Sequence, residues 1–260
     1  MILTLDIGNT NMKCAVFDGM EMKEYWRVST ARTRTSDEYG MTLMNLLRHF
    51  HVEREAVEGI MMSSVVPQIN FTIEHMCRNY FGIEPMKIEP GIKTGINIKS
   101  ETPRELGSDR IANAVAGYEL YGGPYITIDF GTATSFGAVS AKGEFLGGAI
   151  CPGLKLGADA LTERTAKLPR FELVKPESVI GRNTISNMQA GIVYGYIGQI
   201  NYIVERMKRE MGVPGVKVIA TGGLAVLVAG DSNAIDVMDG LLTLKGLCLI
   251  YGKNAPAAAR

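Results

Sequence analysis

The residues best suited to chemistry lie in glycine-bearing polar corners that follow apolar runs. The first is Asp6-Ile7-Gly8-Asn9-Thr10-Asn11-Met12-Lys13. A glycine just past a buried strand lets the backbone turn tightly and approach a ligand closely. Successive N–H groups in such a turn make a concave anion site, to which Asn and Thr side chains add donors. Lys13 can place a point charge on a phosphate. Asp6, at the strand end, suits a hydrated magnesium ion, which keeps several waters and takes one or two carboxylates. The same residue types also build ordinary Asx-type turns, so this segment alone reads either way.

A second corner, Asp129-Phe130-Gly131-Thr132-Ala133-Thr134, repeats the pattern and shifts the balance toward phosphate. Its Asp-Phe-Gly triplet matches the magnesium triplet of protein kinases, but the context does not. The chain has no His-Arg-Asp catalytic loop, no Val-Ala-Ile-Lys strand, no Gly-x-Gly-x-x-Gly loop and no Walker A sequence. What remains is an Asp at a strand end with Gly131, Thr132 and Thr134 as candidate donors to phosphate oxygens. Thr221-Gly222-Gly223 is a third corner, where paired glycines let backbone lie close to adenine or ribose. Gly107-Ser108-Asp109-Arg110 stands at the start of a helical pattern. Ser108 reads as its N-cap. Asp109 and Arg110 read either as first-turn residues or as a proton acceptor and a carboxylate clamp.

These corners need elements to hold them. Met1–Asp6, Met12–Phe17 and Met22–Val28 alternate as strands, with a hairpin turn at Asp18-Gly19. A helix opens at Ser36-Asp37-Glu38, Gly59–Val66 reads as a buried strand, and Pro67 starts a helix running to about Tyr80. Pro85–Glu89 reads as a short strand, Gly91–Pro103 as a loop, and Ser108–Tyr121 as a helix. The pattern then restarts with strands at Tyr125–Phe130, Ser135–Ser140 and Phe145–Ile150. Two helical segments follow, then a long helix from Ser186 to about Met211, a strand at Val216–Ala220 and a closing helix from Asp239. Strand, Asp-x-Gly corner, strand, hairpin and strand thus occur twice, Asp6 matching Asp129 and Gly8 matching Gly131. That repeat implies a duplicated α/β domain with halves 1–121 and 122–260, the break falling near Gly122-Gly123-Pro124.

Bulk composition narrows the function. The 260 residues are 46% hydrophobic with zero formal net charge, so no overall field recruits nucleic acid or an anionic membrane, and any anionic ligand needs a local site. Arg27, Arg32 and Arg34, followed at once by Asp37 and Glu38, read as a solvated surface. The N-terminus reads as a strand rather than a signal peptide, and no apolar run is long enough to cross a bilayer. Cys14, Cys77, Cys151 and Cys248 are scattered, which points to free thiols in a reducing compartment. With only His49, His51 and His75, a zinc or histidine-based mechanism has little to draw on.

Together these residues resemble the superfamily of acetate and sugar kinases, chaperone ATPases and actin. The combination of Asp6-x-Gly8-Asn9-Thr10-x-x-Lys13, Gly107-x-Asp109-Arg110 and Asp129-Phe130-Gly131-Thr132-Ala133-Thr134 resembles the type III pantothenate kinase family. The resemblance runs essentially end to end, through Pro103-Arg104-Glu105 and Thr221-Gly222-Gly223. It implies two ribonuclease H-like (actin-like ATPase) domains, each a mixed sheet flanked by helices, with the active site in the interdomain cleft. It implies ATP-dependent phosphorylation of pantothenate, the first step of coenzyme A biosynthesis. Asp6, Ile7, Gly8, Asn9, Thr10, Asn11, Met12, Lys13, Thr132, Gly222 and Gly223 would bind ATP. Gly107, Ser108, Asp109, Arg110 and Thr184 would bind pantothenate, with Asp109 accepting its hydroxyl proton. Asp6 would sit near Mg2+, and Asp129 would hold a monovalent cation, potassium or ammonium. The resemblance further implies a cytoplasmic homodimer, with the long helix from Ser186 as a dimer element.

One position departs from the family's pattern. Members often carry a tyrosine nine residues before the catalytic Asp, where this chain has Ser100. That bears on how the substrate is enclosed and leaves the phosphate chemistry untouched. Two other readings share these motifs: a kinase for another small hydroxy acid or a polyphosphate-type phosphatase, and a non-catalytic nucleotide-binding regulator. The Gly-x-Asp-Arg element argues against the first. Neutral charge, no helix-turn-helix and an intact Asp109 argue against the second.

Overall fold

The computed structural model describes residues 1–225, 228 and 230–255. Its elements fall into two compact units. The first comprises residues 1–96, 102–116 and the segment from Leu242; the second comprises 97–101 and 117–241.

In the first unit, β1 (Ile2–Ile7), β2 (Asn11–Asp18), β3 (Glu21–Ser29), β4 (Gly59–Ser64) and β5 (Met86–Lys87) form a sheet in the order β3-β2-β1-β4-β5. The first three are antiparallel, and β4 runs parallel to β1. Period-two alternation sorts the two faces. Leu3, Leu5, Ile7, Met12, Cys14, Val16, Trp26, Val28, Ile60 and Met62 point to one side. There they form a core with Tyr39, Leu43 and Leu47 of α1 (Ser36–His49) and Ile73 and Met76 of α2 (Asn70–Met76). Each such large apolar side chain, fully buried, contributes roughly 1.5–3 kcal/mol. Helix α1 opens at Ser36 as expected, capped by Thr35 in a capping box with Glu38. The pattern starting at Pro67 resolves into a 3-10 turn, α2 and a π turn at Cys77–Phe81.

The opposite face carries Thr4, Asp6, Ala15 and Ser63, and α6 (Leu242–Asn254) packs on it against β1, β2 and β4. This helix is apolar almost all round, so it must be covered on more than one side. That requirement joins α6 to the first unit, whereas a split at residue 121/122 would leave this helix with the second half. α6 meets α3 (Ser108–Tyr121) where a Cβ on Gly246 would lie 2.0 Å from the Ala112 carbonyl oxygen. The Thr243 hydroxyl donates to Asn113 Oδ1 at 2.8 Å beside that crossing.

In the second unit, β6 (Asn97–Ile98), β7 (Tyr125–Phe130), β8 (Ala133–Val139), β9 (Glu144–Pro152), β10 (Lys217–Thr221) and β11 (Val237–Met238) order as β11-β10-β7-β8-β9-β6. The run β9-β8-β7-β10 repeats β3-β2-β1-β4 in direction as well as order. Its core joins Ile126, Ile128, Phe130, Phe136, Val218 and Ala220 to Val193, Ile197, Ile200 and Val204 of α5 (Thr184–Met211). The stretch expected as a loop contains β6, which pairs with β9 in parallel. Of the two helical segments expected after β9, one forms, α4 (Leu154–Glu163); residues 164–183 are irregular.

All four cysteines are free thiols. Burial raises the Cys77 thiol to about 12 and pushes the Cys14 thiol up as well, which disfavours the thiolate form of both. Among the described residues no cluster of His, Cys, Asp and Glu is arranged to hold a metal, and no helix is long and apolar enough to cross a membrane.

Candidate active site

Strand register sets the first corner. Asp6 lies opposite Lys13 on β2 and beside Ser63 on β4, while Lys13 lies opposite Arg27 on β3. Residues opposed in register share a face, so Ser63, Asp6, Lys13 and Arg27 form one polar row across four strands. Lys13 Nζ stands 3.5 Å from Asp6 Oδ2, and Asp6 is only 7% exposed. Ile7 and Met12 close the hairpin on the other face with both side chains fully buried. Any ligand contact from these two therefore runs through main chain. The turn itself spends Gly8 N–H on the Asn11 carbonyl at 3.1 Å. Asn9, Thr10 and Asn11 are exposed at its tip. The Thr30 hydroxyl donates to the Gly8 carbonyl at 2.7 Å and pins the end of β3 to the turn.

Gly107–Arg110 meets this row through hydroxyls. Ser108 was expected to cap α3, but Gly107 occupies that place, its carbonyl accepting from Ile111 N–H. The Ser108 hydroxyl instead lies 2.8 Å from Ser63 Oγ and accepts from Ser64 N–H at 3.1 Å. Helix α3 is thereby stapled to the end of β4, one residue from Asp109 and beside the Asp6 row. The Asp109 carboxylate accepts from Arg110 N–H at 2.8 Å, and its Oδ1 lies 2.5 Å from where a Cβ on Gly107 would sit. Glycine at 107 thus leaves room for the carboxylate. Burial pulls the Arg110 pKa down and the neighbouring Asp109 charge pushes it up. An arginine stays cationic under such a shift.

The second corner is built differently. Its turn is shorter, with Phe130 pairing Thr134 where Ile7 pairs Met12. Asp129 therefore faces Ser135, and Ser135 faces Ile150 on β9, so no cation occupies the places matching Lys13 and Arg27. Beside Asp129 on β10 is Thr221, fully buried, whose hydroxyl finds no hydrogen-bond partner among the described residues. Thr132 is exposed at the tip. Thr134, expected as a phosphate donor, is buried, and its hydroxyl bonds Tyr196 of α5. Gly153 closes over the turn, its N–H donating to the Thr132 carbonyl at 3.1 Å; a Cβ there would lie 2.3 Å from that oxygen. Gly222 has φ +99°, and a Cβ on it would lie 2.6 Å from the Phe130 carbonyl oxygen. Gly223 follows, exposed.

The structure thus joins Asp6, Lys13 and Gly107–Arg110 within the first unit, and Asp129, Thr132 and Gly222 within the second. Thr184 is exposed in the first turn of α5, which Asn183 caps through a box with Ser186. It makes no hydrogen bond to the other candidates among the described residues. Ser100 follows β6 with its hydroxyl buried and without a hydrogen-bond partner among the described residues. Sequence reasoning missed Ser63, Ser64, Gly153 and Tyr196. A Ser-Ser pair ending a strand and a glycine ending another were the only local signals, and neither names a partner.

Residues 2–206 match the family model described as type III pantothenate kinase. A type III pantothenate kinase from Geobacillus thermodenitrificans is 54% identical over 254 residues, covering 98% of both chains. Among solved structures, a Campylobacter jejuni protein assigned to the Baf family of transcriptional activators aligns with a TM-score of 0.62 at 19% identity. That alignment covers 97% of this chain and 98% of the other. A Sinorhizobium meliloti protein assigned as a 2-dehydro-3-deoxygalactonokinase aligns with a TM-score of 0.58 at 12% identity, covering 98% and 97%. At such identities the two structures speak to fold alone, the duplicated actin-like ATPase architecture.

Proposed function

Since this chain belongs to the type III pantothenate kinase family, we propose that it transfers the terminal phosphoryl group of ATP to the primary hydroxyl of pantothenate, the first step of coenzyme A biosynthesis. One observation carries this reading beyond family membership. The Ser63–Ser108 hydroxyl contact brings the helix start bearing Asp109 to the row bearing Asp6 and Lys13. This neighbourhood of residues about a hundred positions apart in the chain supports reading Asp109 as the proton acceptor and residues 6–13 as the phosphate corner.

In this reading Asp109 accepts the proton of the attacking hydroxyl, and Arg110 clamps the pantothenate carboxylate. Gly107 and Ser108 hold that pair in place, and Thr184 supplies a further substrate contact. Phosphoryl transfer through a loose transition state calls for positioning and charge neutralisation more than for a strong base. Lys13 and the turn at residues 6–12 supply both for the phosphates, with Thr132 contributing a hydroxyl. Gly222 and Gly223 lie along the nucleoside. Asp6 offers an oxygen donor that fits hydrated magnesium. Asp129, flanked by Ser135 and the unpartnered Thr221 hydroxyl, is an all-oxygen set that fits potassium or ammonium. When bound, such ions offset phosphate charge.

The family relation also supports a cytoplasmic homodimer. Ile185 and Tyr202 on α5 and Ile150 on β9 are exposed apolar side chains available to a second copy, and sedimentation reads the association state. The activity test is ATP consumption with pantothenate, run with and without potassium. Absence of pantothenate-dependent turnover in both conditions would end the assignment.

A further inference from the structure

Arg27 read as part of a solvated basic cluster, together with Arg32 and Arg34. Register separates it from them. It stands opposite Lys13 as the outermost member of the row Ser63-Asp6-Lys13-Arg27, and opposed side chains on neighbouring strands have Cβ atoms about 4.5–5.5 Å apart. The end of its strand is tied to the phosphate turn by Thr30, through Thr30 N–H to the Thr10 carbonyl and the Thr30 hydroxyl to the Gly8 carbonyl. Arg34 is engaged elsewhere, its guanidinium 5.7 Å from the Tyr39 ring centroid. Arg27 is exposed and makes no hydrogen bond or ion pair among the described residues. The same-face neighbours on its strand, Tyr25 and Ser29, carry no negative charge.

Charge balance along the row gives this position meaning. Asp6 offsets Lys13 at 3.5 Å, so the pair presents little net charge to an anion. Arg27 adds the uncompensated positive charge. The duplicated sheet supplies an internal control, because the positions matching Lys13 and Arg27 there are Ser135 and Ile150. The strand framework therefore stands without cations at these places. An exposed arginine on an edge strand also guards against edge-to-edge pairing, but that service depends neither on its register with Lys13 nor on nucleotide.

We propose that Arg27 is a second phosphate-contacting cation, lying outside Lys13 in the row and engaging the phosphate chain of the nucleotide. The proposal rests on the reading of residues 6–13 as the phosphate corner. Its test is calorimetric titration with MgADP, which needs no pantothenate and no turnover. Arg27→Ala is expected to weaken MgADP about tenfold, the size of one charge-assisted contact, and to flatten the salt dependence. Arg27→Lys is expected to recover part of the loss, and Arg32→Ala to leave affinity unchanged. Steady-state KM for ATP should rise with Arg27→Ala while KM for pantothenate stays put.

MgADP affinity within twofold of wild type in both Arg27 variants, with unfolding midpoints intact, overturns the proposal. So does a loss confined to the pantothenate KM, which would make Arg27 a carboxylate contact. Should Arg27→Ala fail to fold, Arg27→Lys and Arg27→Gln are read by the same titration. Wild-type protein that binds MgADP but does not phosphorylate pantothenate refutes the activity assignment and leaves this one standing.

Discussion

Gly153→Ala, at the N-cap of α4, tests the geometry of the second corner most directly. Its backbone has φ −69° and ψ 161°, which alanine adopts freely, so no backbone strain enters. The new Cβ would lie 2.3 Å from the Thr132 carbonyl oxygen and 2.5 Å from that of Gly131. Carbon–oxygen contacts settle at about 3.3–3.6 Å, so the turn bearing Thr132 must retreat by roughly 1 Å. Both blocking atoms are backbone, and no side-chain rotation relieves the clash. Overpacking of this kind costs about 1–3 kcal/mol in stability. A displacement of about 1 Å in a positioning element can cost on the order of a hundredfold in rate.

The assay is kcat/KM for ATP beside denaturant unfolding, with Gly157→Ala as the partner variant. Gly157 lies inside α4, where the nearest atom to an added Cβ is Ile192 Cδ1 at 3.7 Å, an ordinary contact. That substitution should stabilise the protein by about 0.5–1 kcal/mol and spare activity. Gly153→Ala with kcat/KM within twofold of wild type would refute the claim that Gly153 sets the turn. Equal losses in both variants would refute it as well, by tying the effect to α4 in general.

Three further outcomes follow from the same contacts. Asp109→Asn should lower kcat by about 10²–10⁴ while calorimetric affinity for MgATP stays within twofold; unchanged single-turnover chemistry would remove Asp109 as proton acceptor. Tyr196→Phe leaves the buried Thr134 hydroxyl without its partner, which should cost about 1–3 kcal/mol and raise KM for ATP. Adding Thr134→Val should restore most of that stability, and an additive double loss would show that the two hydroxyls are not coupled. Potassium should raise the unfolding midpoint above that in equal choline chloride, and Asp129→Asn should abolish the difference. A potassium effect undiminished in that variant would place the cation elsewhere.

Much of the first unit was legible because its signals are local. Alternation in residues 1–28, the Asp18-Gly19 turn and the spacing of Tyr39, Leu43 and Leu47 each report on neighbours within a few residues. The errors arose where partners are remote. Ser108 has the chemistry of a cap, yet its hydroxyl answers to Ser63 and Ser64, more than forty residues earlier. Thr134 sits in a phosphate-like corner, but α5 claims its hydroxyl. Two residues at Asn97–Ile98 carry too little pattern to announce a strand, and only the exposed edge of β9 makes one of them.

Sequence by itself determined that two Asp-x-Gly corners exist, that each follows a buried strand, and that a Gly-x-Asp-Arg element accompanies them. Those properties reside in residue type and short spacing. The tertiary structure alone decided what each carboxylate faces. A second turn one residue shorter sets Ser135 and Ile150 where the first corner sets Lys13 and Arg27. Side chains alternate faces with a period of two, so a single residue of register chooses the neighbour. That choice sets a lysine and an arginine in the row of one carboxylate and a serine and an isoleucine in the row of the other.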